Sequence, residues 1–223
     1  MYQFIFSHLN AKNVAWDCGT GPGQVASVLA EHFDEIYASD ISQEQMDHAP
    51  KKSNITYYKV PAEDTEFSSN IFDLITVAQA IHWFDFEQFY TEVNRTGRPG
   101  ALLAVIGYGM VQVLPKIDKK LHQFYNDMFN RYFNKNRKFL DEKYQTIPFP
   151  FEEISTPQFE RTIEWEREHL EGFLNSWSPV QKFKDDHGQN PVDTVIQEID
   201  PLWGEDEKLS VTFPIFLRLG KLS

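Results

Sequence analysis

Three glycines at alternate positions, Gly19, Gly21 and Gly23, follow an acid, Asp17, in the stretch NVAWDCGTGPGQ at residues 13–24. Glycine is needed where the backbone turns with positive φ or where a ligand must lie against the main chain without meeting a Cβ. A short apolar run (Val14, Ala15, Trp16) precedes the acid, and Gln24, Val25, Ala26, Val28 and Leu29 open a helical pattern after the last glycine. The stretch therefore reads as a buried parallel strand, a ligand-facing loop and a helix start that favours negative charge. Spacing narrows the ligand. A dinucleotide loop places glycines at the first, third and sixth positions, and the sixth counted from Gly19 is Gln24. An acid at the strand end would repel a pyrophosphate, whereas it suits a zwitterion carrying an ammonium.

Three further stretches follow in order. EIYASDIS brings Asp40 to the end of the next strand, about 20 residues on, where a carboxylate reaches ribose hydroxyls. VPAEDTEF sets Ala62 and Glu63 after a third strand, and FDLITVAQAIHWFD sets Gln79, Ala80, His82 and Trp83 after a fourth. With DCGTGPGQ, these four stretches resemble the motifs of class I S-adenosylmethionine-dependent methyltransferases. The resemblance covers nearly the whole chain from residue 12. QAIHWFD, SWSPVQ near residue 177 and FPIFLRLGK near the end further resemble the subgroup that includes trans-aconitate methyltransferase and its fungal and plant relatives.

The resemblance implies S-adenosylmethionine as cofactor and a role for each matching residue. Backbone around Gly19, Thr20, Gly21 and Gly23 would hold the methionine part, with Asp17 orienting its ammonium. Asp40 would accept from the ribose hydroxyls, Ile41 would lie against adenine, and Ala62 and Glu63 would edge the ring. Many relatives carry an acid directly before that alanine, where this chain has Pro61. Gln79 and Ala80 would leave the fourth strand beside the transferable methyl. His82 is the candidate base, which a hydroxyl or amine acceptor would use and a carboxylate would not. Trp83 is the candidate aromatic neighbour of the sulfonium. Each has a plainer alternative: a polar strand end for Asp40, surface charge for Glu63, a structural histidine for His82, packing for Trp83. Holding donor and acceptor in line can itself supply about 7–11 kcal/mol, so an enzyme of this kind can work without an acid or base. Tyr108, Ser176 and Trp177 are candidates for the acceptor pocket, with core packing the plainer reading of Trp177.

The elements that must position these residues alternate. Strands are expected at 14–17, 36–39, 55–60, 71–78 and 101–106, with helices between them, which implies a doubly wound parallel sheet. Ser42 with Gln45 reads as a capping box, and Asp85 as a helix cap. Residues 159–165 and 209–219 read as sixth and seventh strands. By resemblance, the last would run antiparallel beside the sixth, giving a Rossmann-like, mostly parallel seven-stranded sheet with helices on both faces. Residues 111–150 and 166–200 break the alternation and read as helical additions within one domain spanning 1–223. They are expected to cover the substrate side, over the carboxyl ends of the strands. Relatives usually carry a further cofactor-covering stretch before the first helix, at Tyr2, Ile5, Phe6 and Leu9.

Composition bounds the partners. A formal charge of −12 with scattered Lys and Arg argues against nucleic acid, which demands a basic face. Cys18 is the single cysteine, so no intramolecular disulfide exists and a reducing compartment is expected. No run approaches the ~20 apolar residues of a membrane span, and the N-terminus carries no basic leader, so cytoplasm is the expected location. The expectation is an S-adenosylmethionine-dependent enzyme acting on a small molecule, possible carboxylic acids included, with oligomeric state open. A cofactor-binding partner subunit without turnover is the rival, and an NAD-dependent oxidoreductase, disfavoured by Gln24, is third.

Overall fold

The computed structural model describes residues 1–132, 136–204 and 208–223. Its elements run α1 (Tyr2–Ser7), β1 (Val14–Cys18), α2 (Gln24–Leu29), β2 (Glu35–Asp40), α3 (Gln43–Asp47), β3 (Ile55–Lys59), β4 (Phe72–Ala78), a 3-10 turn (Ile81–Trp83), α4 (Phe86–Thr96) and β5 (Gly97–Tyr108). There follow α5 (Pro115–Arg131), α6 (Arg137–Asp141), β6 (Glu152–Ile154), β7 (Phe159–Trp165), α7 (Arg167–Asn175), α8 (Ser178–His187), α9 (Pro191–Trp203) and β8 (Leu209–Lys221). The fold is Rossmann-like. Its sheet has eight strands in the order β3-β2-β1-β4-β5-β8-β6, with β7 paired to β8. β1 is hydrogen-bonded in parallel to both β2 and β4, β2 to β3, and β4 to β5, whereas β6 is antiparallel to β8.

Two strands differ from the sequence reading. β6 is an eighth strand of three residues, too short to show alternation, and its register to Leu219–Lys221 comes from β8. β5 begins at Gly97, ahead of the strand expected at 101–106. A register shift between Phe72 and Leu74 of β4 absorbs that irregular start.

Contacts group the chain into two compact units. The first comprises Met1–Tyr108, Lys138–Phe159 and Phe216–Ser223. Trp16, Phe67, Phe72 and Phe89 form its aromatic centre, with Trp16 edge-on to Phe67 at 5.7 Å and its indole N–H donating to Ser39 Oγ at 2.8 Å. The second comprises Gly109–Arg137 and Glu160–Ile215. Its core takes Leu121, Phe124 and Met128 from α5, Leu170 and Leu174 from α7, and Val195, Ile196 and Ile199 from α9, at the spacing of one helical face. Within it the hydroxyls of Thr162 and Thr212 lie 2.9 Å apart, joining β7 to the first part of β8.

Candidate cofactor site

The parallel strands reverse order across β1, with β2 on one side and β4 on the other. Loops leaving the carboxyl ends of strands at such a switch point diverge and open a crevice. The loop after β1 is a succession of left-handed turns: Gly19, Gly21 and Gly23 have φ of 67°, 53° and 76°. A Cβ on Gly19 would stand 2.6 Å from Ala80 Cβ, closer than carbon atoms can approach. Loop and β4 end thus touch because residue 19 has no side chain.

Asp17 holds this loop from beneath. Its Oδ2 accepts from Thr20 Oγ1 at 2.6 Å and from the Ala26 N–H at 3.0 Å, and its Oδ1 accepts from Thr76 Oγ1 at 2.8 Å. Three of a carboxylate's roughly four acceptor directions are filled by the protein. The side chain is 1% exposed, and burial pushes its pKa up to about 6 against the lowering effect of those hydrogen bonds. Burial likewise pushes the neighbouring Cys18 thiol up, leaving it an inert core side chain.

Asp40 ties the same loop from β2. Its Oδ2 accepts from the Gly21 N–H at 2.8 Å and its Oδ1 from the Ser42 N–H at 2.9 Å. Ser42 caps α3 by accepting from the Gln45 N–H, but the expected capping box is only half formed, because the Ser42 N–H goes to Asp40 rather than to the Gln45 side chain.

After β3, Ala62 is buried and Glu63 turns back to accept from the Asp85 N–H at 2.9 Å, which holds the entry to α4. The loop beyond is pinned by an ion pair between a buried Glu92 and a half-exposed Arg95. Glu92 accepts from the Thr65 N–H at 2.9 Å, from the Thr65 hydroxyl and from Arg95 Nε at 2.7 Å. Arg95 also donates to the carbonyls of Phe67 and Thr65 at 2.6 and 3.0 Å. Burial alone would raise the Glu92 carboxyl, but the bonds from Arg95 and Thr65 outweigh it and hold it below the usual range. Arg95→Met should therefore destabilise the fold by about 2–3 kcal/mol in urea titrations at neutral pH. With Glu92 depressed in the folded state, that contribution fades as pH falls through its folded pKa, so parent and variant should converge in acid.

At the end of β4, Gln79 has φ 57°, unusual for a residue with a side chain. Its N–H donates to the Ile106 carbonyl at 2.9 Å and its Nε2 to the Tyr108 carbonyl at 3.1 Å. Ala80 caps the 3-10 turn, which places Trp83 57% exposed and buries His82 to 4%. His82 Nδ1 is 2.9 Å from Tyr144 Oη, inside the first unit.

These loops enclose a cavity of about 530 Å³. Asp17, Gly19, Thr20, Gly21, Asp40, Ile41, Ala62, Glu63, Gln79, Ala80 and Trp83 line it. Two expected residues do not. Gly23 packs the loop against β3 and α3, where a Cβ would meet Tyr57 Oη at 2.7 Å and Ala49 Cβ at 3.0 Å. His82 is buried against Tyr144 and is not among the lining residues. Ser42, Gln45 and Phe84 join the lining. The first two were legible only as a helix cap, and Phe84 carried no signal of its own. Among the acceptor-pocket candidates, Trp177 packs against Phe124, Tyr125 and Phe173 at 5.7–6.0 Å in the second unit, and Ser176 Oγ donates to the Phe173 carbonyl at 2.6 Å.

The lining suits a cationic, partly apolar ligand. It includes the carboxylates of Asp17, Asp40 and Glu63, with no Lys, Arg or His among the described residues. Ile41, 72% exposed, offers an apolar surface beside Asp40. No His/Cys/Asp/Glu group able to hold a metal ion occurs among the described residues, and none of their helices is long and apolar enough to cross a membrane.

Comparison with known proteins agrees with this fold. The model of a methyltransferase domain matches residues 16–105. A solved structure from Anaeromyxobacter dehalogenans, assigned as a type II methyltransferase, is 33% identical, covers 99% of this chain and 94% of its own, and superposes with a TM-score of 0.89. A Dictyostelium discoideum protein assigned as a methyltransferase is 29% identical, over 99% of this chain and 87% of that relative. The fold alone is shared with geranyl diphosphate C-methyltransferase of Streptomyces coelicolor, solved with S-adenosylhomocysteine, at 12% identity and a TM-score of 0.51 over 99% of this chain and 77% of that one.

Proposed function

The chain belongs to the class I S-adenosylmethionine-dependent methyltransferases, and we propose that it methylates a small molecule with the donor bound in the cavity between the ends of β1, β2 and β4. S-adenosylmethionine supplies the chemistry, an activated methyl on sulfonium. The observation that carries the reading is the glycine loop, held from one side by Asp17 and from the other by Asp40. With its backbone fixed, the loop offers main-chain groups to the amino-acid end of the cofactor. The fourth acceptor direction of Asp17 suits the ammonium. Asp40, already oriented by two N–H donors, has lone pairs left for ribose hydroxyls, and Ile41 covers an apolar ring.

The chain's contribution to the reaction is positioning. Gln79, Ala80 and Trp83 line the cavity, whereas His82 does not. Such a site suits an acceptor that ionises unaided or that needs no deprotonation. A small carboxylic acid is one such class, supported by the resemblance of QAIHWFD and FPIFLRLGK. An uncharged acceptor is favoured by the acidic lining, so both belong in the screen. A binding subunit without turnover is not favoured, because the cavity retains both acids and the glycine loop.

Calorimetric titration with S-adenosylmethionine and S-adenosylhomocysteine tests the reading. Micromolar binding, about −8 kcal/mol, is expected for the parent, weakened about 100-fold in Asp40→Ala, which loses the loop tie as well as the ribose contact. Acceptors are then screened by S-adenosylhomocysteine release. Absence of binding by the intact chain refutes the proposal.

A further inference from the structure

The pair His82–Tyr144 lies outside the cavity and is buried, yet His82 is next in the chain to residues of the cavity wall. His82 is the middle residue of the 3-10 turn, between Ala80 and the two lining aromatics Trp83 and Phe84. The turn is closed by the Trp83 N–H donating to the Ala80 carbonyl at 2.9 Å and the Phe84 N–H donating to Ile81 at 3.0 Å. Ala80 and Phe84 are also what a Cβ on Gly19 would strike, at 2.6 and 3.3 Å. The glycine loop therefore rests directly on this turn.

Tyr144 is held with unusual force for a residue in an irregular segment. It has φ 60°, after Lys143 at 53°, two successive side-chain-bearing residues in the left-handed region. Such backbone persists only where the surroundings over-determine it. Here Arg218 Nη1 donates to the carbonyls of Tyr144 and Ile147, both at 2.9 Å, and Arg218 is itself clamped by both carboxylate oxygens of Glu153 at 2.8 Å. The Tyr144 ring stacks on His82 with centroids 5.9 Å apart and meets Phe216 edge-on at 5.3 Å. Its Oη reaches His82 Nδ1 at 2.9 Å.

We propose that Tyr144 and His82 are positioning residues: the Tyr144–His82 contact sets the Ala80–Phe84 turn against the glycine loop, and so sets the affinity of the cavity for its cofactor. A rigid anchor at Glu153–Arg218 fixes Tyr144, Tyr144 fixes the imidazole, and the imidazole fixes the rotation of the turn that carries Trp83 and Phe84. A short turn rotates as a body, so loss of one hydrogen bond at its centre moves both aromatics. The proposal assigns residues around 144, which line none of the cavity, a part in binding. It rests on the reading of the cavity as the S-adenosylmethionine site.

The test uses the full chain labelled with fluorotryptophan, Tyr144→Phe and His82→Phe singly and together, and S-adenosylhomocysteine as the probe. Trp83→Phe identifies the Trp83 fluorine resonance. Tyr144→Phe keeps the ring and removes only the hydroxyl. The expected result is a displaced Trp83 resonance in the ligand-free variants and an affinity about tenfold weaker in each, with the double variant no weaker than either single one, because both remove the same link. A Trp83 resonance unmoved in Tyr144→Phe, an affinity within twofold of the parent, or additive losses in the double variant each overturn the proposal. If the parent itself does not bind, the cofactor reading fails, and the resonance of the ligand-free chain alone decides the pair. A variant that fails to fold is recognised by collapse of all the tryptophan resonances, and the other single variant then decides.

Discussion

Asp17→Asn should give a protein that is more stable at pH 8 than its parent and binds S-adenosylmethionine 10- to 100-fold more weakly. The carboxyl of Asp17 has a folded pKa raised from 3.8 to about 6 by burial. Between those values the folded state binds a proton that the unfolded state has released, so the parent loses stability as pH rises through that window. At 1.36 kcal/mol per unit, the penalty above pH 6 is on the order of 3 kcal/mol. Asparagine is isosteric and never ionises. Its carbonyl can still accept from Thr20 and the Ala26 N–H, and its amide can donate to Thr76 after that hydroxyl rotates. The stability difference should therefore be largest at pH 8 and vanish near pH 4, which urea titrations at the two values measure. A variant less stable than the parent at pH 8 would sink the argument.

The same group should make ligand affinity depend on pH. An ammonium binds better beside a carboxylate than beside a carboxylic acid, so the parent's affinity should fall as pH drops below about 6, by at most tenfold per unit. Asp17→Asn should be flat over the same range. Under the proposed function, a buried acid that destabilises the fold and orients the ligand's ammonium is strain retained at a functional site.

The glycine loop was legible because its constraint is local. Alternate glycines after a buried strand admit few backbone paths, and all three take the left-handed turns their spacing implies. Asp40 was legible for the same reason, since the parallel alternation fixes where the second strand ends. His82 was not, because its partner is 62 residues away, in a segment whose path no periodicity reveals. Glu63 was legible as a lining residue, but its bond was not: its carboxylate accepts from the Asp85 N–H, a bond between two loops that sequence treats separately. Trp177 sits in a helical aromatic stripe, and such stripes look alike whether they face a core or a ligand. Its neighbours Phe124, Tyr125 and Phe173 decide for the core of the second unit.

Gly19→Ala should be the most damaging single-methyl change in the cavity. Two penalties combine there. Alanine in the left-handed region is disfavoured by about 1–2 kcal/mol, and the added Cβ would lie 2.6 Å from Ala80 Cβ and 3.3 Å from Phe84. Ala80 has no side-chain torsion with which to yield, so the loop or the whole turn must move, adding about 1–3 kcal/mol of overpacking. Cofactor affinity should fall at least 100-fold, because the displaced elements are the two walls that meet at the binding surface. Gly21→Ala separates the penalties. Its backbone is equally left-handed, but its Cβ would meet only the end of Gln45, 2.9 Å away and free to swing. It should lose about 1–2 kcal/mol of stability from backbone strain alone, and much less affinity. Gly172→Ala supplies the opposite sign. That glycine lies inside α7 with nothing within 4 Å of its would-be Cβ, so the variant should gain about 0.4–1 kcal/mol and bind as the parent does. If Gly19→Ala and Gly21→Ala proved equally weak in binding, contact with Ala80 would not be what shapes the cavity, and the left-handed backbone alone would account for both.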